Sequence, residues 1–198
     1  NNPKITKTVP LEAFDQIELN SSFDVELVED SVFYVEVIGH HKTVEKMSLV
    51  VEKDVLKIDN LLKNKFVKPK TKNIVLVIHS KSLKMVISNE TCNVTTRTPI
   101  TSVEFGIIMR SKGNYADLEL KTQSFYYWNN YPCGGKMTLR GTTDQLKIWN
   151  TAIFSVDAKS LYTKYCFVEN SSKGKCEVQV SETIEYTIKG EGNIEAYG

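Results

Sequence analysis

The feature that most constrains the fold of this chain is a repeat of about twenty residues in its second half. Short alternating apolar runs there end at residues suited to corners. From the C-terminal end these are Gly190, Asn170, Asn150, Asn130, Ser111 and Asn89, with spacings of 20, 20, 20, 19 and 22. Asn, Ser and Gly tolerate left-handed backbone or hydrogen-bond to their own main chain. A constant period with a short strand on each side of every corner predicts a β-helix, a solenoid of stacked coils.

A plain β-sandwich is the competing interpretation, with turns that fall at chance intervals of about 8–12 residues. Three identical steps favour the solenoid over the sandwich. The fold class predicted is therefore all-β, a short single-stranded β-helix with coils of about twenty residues.

The residues before position 82 do not follow this repeat. They alternate in short runs typical of hairpins, and Lys53-Asp54 separates two such runs. The stretch "HKTVEKMS", residues 41–48, is the one candidate for a short helix. We therefore expect a single domain over residues 1–198, in which a β-meander (1–81) caps the β-helix coils (82–198), because a bare solenoid end is a sticky edge.

The repeat also predicts which side chains share a position in successive coils. The residues two before each corner form one expected buried column, Trp128, Ile148, Val168 and Ile188. The residues four before form its neighbour, Tyr126, Leu146, Cys166 and Tyr186. Asn130, Asn150 and Asn170 should occupy equivalent corners and hydrogen-bond to one another or to backbone there.

The residues three before each corner alternate with the buried columns, so they should point outward. They are Val86, Ile108, Tyr127, Lys147, Phe167 and Thr187, and Trp149 flanks them. An apolar stripe on an outer face needs an explanation. Either the N-terminal meander or a second subunit covers it, which the pattern favours, or it is open and Tyr127, Lys147, Trp149 and Phe167 bind a ligand such as the rings of a sugar.

The sequence contains no nucleophile elbow, phosphate loop, zinc-protease or EF-hand motif, and no cofactor is predicted. No histidine lies at zinc-site spacing from a cysteine, so no metal site is predicted either. Asp157 and Glu177 share a position in adjacent coils and are the best catalytic candidates. A solvated pair of carboxylates is the favoured interpretation.

The composition limits the classes of partner that the chain is expected to bind. The net charge of +1 argues against a general nucleic-acid binder, and no stretch has the length of a membrane-spanning helix. The lysine-rich stretch 63–72 is interpreted as a solvated loop, with contact to an acidic glycan or a lipid headgroup as the alternative.

The chain has four cysteines, Cys92, Cys133, Cys166 and Cys176. In a chain of this length they indicate buried thiols with at most one or two disulfide bridges.

Four motifs resemble the auto-transporter adhesin head family with the GIN domain, found in Bacteroides-like bacteria. They comprise Phe14, Ile17, Val25 and Leu27 at the opening, then Val35, Val37 and Gly39, then Leu56 and Ile58, and Gly190, Gly192, Ile194 and Gly198 at the close. The resemblance covers nearly the whole chain. It implies a β-helix-like fold, export to the periplasm or cell surface, and a non-catalytic role in adhesion.

The function expected is thus a non-catalytic envelope or surface module that binds protein or glycan. A polysaccharide-active β-helix enzyme, a lyase or hydrolase, is the first alternative. A purely structural building block of a homo-oligomer is the second.

Overall fold

The computed structural model describes residues 2–62, 74–130 and 133–198. Within them the chain forms fourteen strands and one short helix. The strands are β1 (Lys4–Pro10), β2 (Gln16–Leu19), β3 (Phe23–Glu29), β4 (Tyr34–His40), β5 (Met47–Glu52), β6 (Val55–Asn60), β7 (Ile74–Ser80), β8 (Met85–Ser88), β9 (Asn93–Thr96), β10 (Glu104–Met109), β11 (Asn114–Asn129), β12 (Gly134–Ser172), β13 (Cys176–Ile188) and β14 (Ile194–Tyr197); the helix is α1 (His41–Val44). The predicted all-β class is confirmed, and the short helix predicted within residues 41–48 is present over His41–Val44. The lysine-rich stretch lies outside the described residues.

The strands belong to one curled sheet whose N-terminal part is antiparallel at its edges. β1 pairs with β4, β4 with β7, and β5 with β6, all antiparallel. The β5–β6 hairpin turns at Lys53 and Asp54, whose φ angles of 50° and 65° are those of a tight hairpin turn. This predicted hairpin is confirmed.

The prediction that all strands before position 82 form hairpins is wrong for β2 and β3. β2 pairs in parallel with β8, and β3 pairs in parallel with β9. Both strands alternate apolar and polar residues as a hairpin would, and alternation alone does not specify the direction of the partner strand.

The remaining strands pair in parallel with segments close to twenty residues away. Phe105 pairs with Phe125, and Val156 with Cys176, at separations of 20. Phe125 pairs with Leu146 at a separation of 21. Two parallel ladders result. The first runs through β2, β8, β10 and residues 124–129, 145–150, 165–170 and 183–188. The second runs through β3, β9, residues 114–122, 135–143, 156–158 and 176–179, and β14. Alternate side chains of both ladders fill one apolar core.

Asn129 and Asn150 are separated by 21 residues instead of the predicted 20, and the extra residue changes the register. Met109 pairs with Asn129, and Asn114 with Gly135, so the extra residue falls in the corner between Asn129 and Gly135. A slip of one residue moves every side chain of a strand to the other face. The predicted column is therefore wrong at Trp128, which is 41% exposed, and Tyr127 is in the core at 0%.

The last segment is two residues shorter, because register shifts near Ala158 and Thr163 pair Asn170 with Ile188 instead of Gly190. A slip of two keeps the faces, so Tyr186 and Ile188 still lie on the core side, opposite Val168 and Asn170. They are nevertheless 64% and 47% exposed, so the prediction that they are buried is wrong. Ile148 and Val168 are buried as predicted.

An asparagine ladder closes the corners at the end of the first ladder. The side-chain nitrogen of Asn129 donates to Asn150 Oδ1, and that of Asn150 donates to Asn170 Oδ1, both at 3.2 Å. The bond between Asn150 and Asn170 was predicted, whereas Asn129 takes the place given to Asn130. At the other end of the chain Asn89 donates to Asn20 at 2.8 Å.

Candidate binding surface

The outer face of the first ladder carries a set of aromatic side chains, which we call the outer aromatic strip: Tyr126, Trp128, Trp149 and Phe167. Each alternates along its strand with a core residue such as Phe125, Tyr127, Ile148 or Val168. Register places Ile108 beside Trp128 and Trp128 beside Trp149. The strip therefore crosses neighbouring strands as one continuous surface.

Packing within the strip is close but leaves the rings accessible. The rings of Trp149 and Phe167 lie 5.3 Å apart at 44°. Both are half-buried, and Trp128 is more exposed. Ile87 and Ile108, on the same face, are 8% and 7% exposed. The aliphatic side chains of this face are thus buried, and the aromatic rings are partly exposed.

Tyr126 lies over a glycine. A Cβ atom at Gly106, its neighbour on the next strand, would come within 1.9 Å of Tyr126 Cζ. Burial, reinforced by the Glu104 carboxylate, raises the pKa of the Tyr126 phenol. The phenol therefore stays protonated at neutral pH and can donate a hydrogen bond at the rim of the strip.

Two depressions adjoin the strip. The first, of about 370 Å³, is lined by Gln145, Leu146, Lys147, Trp149, Tyr165, Cys166, Phe167, Thr183 and Glu185. The second, of about 640 Å³, includes Lys84, Met85, Val103, Glu104 and Tyr126. In each, apolar surface lies next to amide, hydroxyl or charged groups, the mixture that ligand sites use to hold and orient a small molecule.

Three of the four predicted binding residues lie in the first depression, namely Lys147, Trp149 and Phe167. Tyr127 does not, because the one-residue slip turns it inward, where its ring stacks on Phe154 with centroids 5.1 Å apart. Its predicted place on the outer face is wrong. Tyr126 and Trp128 take its place. A corner at Asn129 instead of Asn130 would have turned both outward, and the sequence suits a corner at either residue.

The two candidate catalytic carboxylates are brought together as predicted, on the second ladder. Asp157 pairs with Glu177, and Glu177 with Glu195, in successive strands. Lys159 and Lys175 lie between them, with their Nζ atoms 3.3 Å and 3.2 Å from Glu177 oxygens. The carboxylates thus belong to an alternating network of charges.

This network does not prepare Glu177 to release a proton at neutral pH. Burial raises the pKa of Glu177, but the hydrogen bonds from Lys175 and Lys159 outweigh it, and the pKa falls below the ordinary value of 4.5. The same contacts raise the pKa of Lys159 and Lys175. A general acid requires the opposite shift, a carboxyl whose pKa approaches neutrality.

Elsewhere in the described residues, no group of three or more His, Cys, Asp or Glu side chains has the arrangement of a metal site. No helix within those residues is long and apolar enough to cross a membrane. Each of the four cysteines is a free, buried thiol.

Comparison with known proteins adds a family and a fold. A family model described as "Putative auto-transporter adhesin, head GIN domain" matches residues 13–198. No curated protein matches the chain.

Solved structures match over nearly the full length at low identity. A putative adhesin from Bacteroides fragilis has a TM-score of 0.86 at 15% identity, covering 99% of this chain and 98% of its own. A putative adhesin from Parabacteroides distasonis has a TM-score of 0.65 at 14% identity, with the same coverage. A protein from the same species, named a putative lipid binding protein, has a TM-score of 0.58 at 16% identity and covers 100% of this chain and 98% of its own. These likenesses concern the fold.

Proposed function

Because this chain belongs to the auto-transporter adhesin head GIN domain family, we propose that it is a non-catalytic module of the cell envelope or surface that binds glycan through the outer aromatic strip. The observation that carries the proposal is the continuous run of partly exposed rings at Tyr126, Trp128, Trp149 and Phe167, bordered by a depression with polar walls.

The chemistry of the strip suits sugar rings. The apolar faces of a pyranose pack on aromatic side chains, and its hydroxyls need donors and acceptors at the edge of the contact. Gln145, Thr183 and Glu185 supply amide, hydroxyl and carboxylate groups along one border, and Lys147 supplies a cation. The site thereby combines stacking with hydrogen bonding.

Among the residues that the structure describes, the N-terminal strands β6 and β5 extend the first ladder sideways: β2 pairs with β6, and β6 with β5. Trp128 keeps 41% of its surface exposed. This favours the ligand-binding explanation of the stripe over coverage by the N-terminal meander.

The architecture proposed for this module is a short β-helix. The separations of 20 and 21 residues between parallel partners support coils of that length, and the asparagine ladder supports a shared corner. In the proposed β-helix the first coil begins at β2, and the antiparallel strands β1, β4 and β5 lie at its N-terminal end. We keep the single-domain organisation of residues 1–198 and export to the periplasm or cell surface as parts of the proposal.

The enzyme alternative has one specific feature, the Asp157–Glu177 pair, and its electrostatics count against it. Both partners lie among lysines, and the pKa of Glu177 is lowered. Turnover on acidic polysaccharides that Asp157→Ala abolishes would reverse the assignment.

The proposal is tested by glycan-array binding with paired variants. Trp149→Ala and Phe167→Ala should each weaken binding of the glycans that the native chain retains by about fivefold or more, since an aromatic contact contributes about 0.5–1.5 kcal/mol beyond the apolar area that it buries. Tyr115→Ala is the matched control, because Tyr115 is 55% exposed and lies on the second ladder. Equal losses for all three variants, or no glycan retained by the native chain, would refute the strip as a glycan site.

One of the structurally similar proteins is named a lipid-binding protein, so vesicles of neutral and of anionic phospholipid belong in the same experiment. Binding to vesicles that Trp149→Ala removes, with no glycan retained, would assign the strip to lipid instead.

A further inference from the structure

The C-terminal part of β13, residues 183–188, is an unprotected sheet edge. It pairs with β12 on one side, while β14 pairs only with residues 176–179 of β13. Among the described residues no strand pairs with its other side. Its backbone donors and acceptors on that side are open to an added strand.

The side chains of this edge that face the core are all apolar. Ile184, Tyr186 and Ile188 lie opposite Cys166, Val168 and Asn170 on the preceding strand. Tyr186 and Ile188 are 64% and 47% exposed because nothing in the described chain packs beyond them. An open edge with apolar core-side residues is the arrangement that a further strand would bury.

A different edge of the sheet, β1 at the end of the second ladder, has a protection that residues 183–188 lack. In β1, Lys7 occupies a core-side position between Ile5 and Val9, opposite the buried Val37. A charge that points inward on an edge strand prevents another strand from adding there. The edge strand β5 also has apolar core-side residues, Met47, Leu49 and Val51, but these are partly buried, whereas Tyr186 and Ile188 are exposed.

We propose that a second copy of this chain pairs with this edge, strand 183–188 against strand 183–188, antiparallel about a two-fold axis at Tyr186. In that register Tyr186 meets its own counterpart, and Ile184 meets Ile188 of the second copy. Every core-side position then has an apolar partner, as a self-complementary two-fold interface requires.

Charge on the outer side agrees with the same register. Glu185 is opposite Thr187 of the second copy, so its diagonal neighbours there are Lys189 on one side and Glu185 on the other, and the two-fold axis repeats the Glu185–Lys189 contact. Within the chain Lys189 also pairs with Glu169 on the neighbouring strand. The pairing thus places apolar residues together on the core side, and on the outer side the two Lys189 side chains offset the charge of the two Glu185 carboxylates.

The test is the mass of the native chain in solution, measured by light scattering and sedimentation across a concentration series. The native chain should approach twice its 22.5 kDa as concentration rises. Tyr186→Lys copies the device of Lys7 and sets like charges on the axis, so it should raise the dissociation constant by at least about tenfold. Tyr115→Lys, an exposed site away from this edge, is the control and should leave the dissociation constant unchanged.

A charge exchange distinguishes the loss of an interface contact from the unfolding of a variant. Glu185→Lys should weaken the dimer, and adding Lys189→Glu to it should restore the dimer, since the diagonal pair is re-formed with its signs reversed. A native chain that stays monomeric, a dimer indifferent to Tyr186→Lys, or a charge exchange without rescue would each overturn the proposal. Mass does not report on glycan binding, so its result stands apart from that of the strip variants.

Discussion

Replacement of Asn150 by alanine is the sharpest test of the asparagine ladder. Asn150 is 1% exposed, and its side-chain nitrogen donates to the Phe154 carbonyl at 2.6 Å and to Asn170 Oδ1 at 3.2 Å. Its oxygen accepts from Asn129 at 3.2 Å. Three hydrogen bonds, at about 1 kcal/mol net each, give roughly 3 kcal/mol as the starting value for the loss in free energy of unfolding.

The partners retain other bonds, which reduces this value. Ser172 hydrogen-bonds to both the Phe154 carbonyl and the Asn170 side-chain oxygen. Asn129 also donates to the Thr151 carbonyl at 3.3 Å. The variant therefore leaves no oxygen or nitrogen partner wholly unsatisfied, although Cys176 Sγ loses its weak 3.5 Å hydrogen bond from Asn150. We expect a loss of about 2–3 kcal/mol, without the larger penalty of an orphaned buried oxygen or nitrogen.

The measurement is equilibrium unfolding in urea, followed by the fluorescence of Trp128 and Trp149, which are the two tryptophans of the chain. Asn93→Ala is the matched control, because Asn93 is exposed on β9. A loss below about 0.5 kcal/mol for Asn150→Ala, or equal losses for the two variants, would show that the ladder does not stabilise the fold.

Three further predictions concern the core, the strip and the charge network. Ile148→Ala should lower the free energy of unfolding by about 2–5 kcal/mol, since the side chain is fully buried, and urea titration checks it. Gly106→Ala should displace the Tyr126 ring. Glycan retention on the array should fall, whereas the melting temperature should change little. Stability should fall as the pH drops below 4.5 towards the lowered pKa of Glu177, because protonation breaks its lysine contacts, and Glu177→Gln should flatten this part of the pH–stability curve.

The sequence predicted the fold class and the pairing distance because both follow from local pattern. Alternation identifies strands, and corner residues at constant spacing indicate which segments become neighbours. The Asp157–Glu177 pair was found this way, since both lie in segments whose separation is 20. The Lys53-Asp54 hairpin was found from its turn chemistry.

What the sequence did not predict depends on single residues in the corners. Asn129 and Asn130 are equally suited to a corner, so nothing local chose between them, yet the choice decides whether Tyr127 or Trp128 faces outward. The direction of β2 and β3 is likewise set by strands distant in sequence. Both are tertiary effects, in which long-range pairing selects among locally equivalent alternatives.

The four buried thiols have a consequence for how the chain withstands different redox surroundings. Burial raises the pKa of Cys176 to about 12, against the opposing hydrogen bond from Asn150, and it raises the pKa values of the other three thiols as well. Disulfide exchange proceeds through the thiolate, which is therefore almost absent at neutral pH. The folded chain should keep the same covalent structure in a reducing cytoplasm and in an oxidising space outside it.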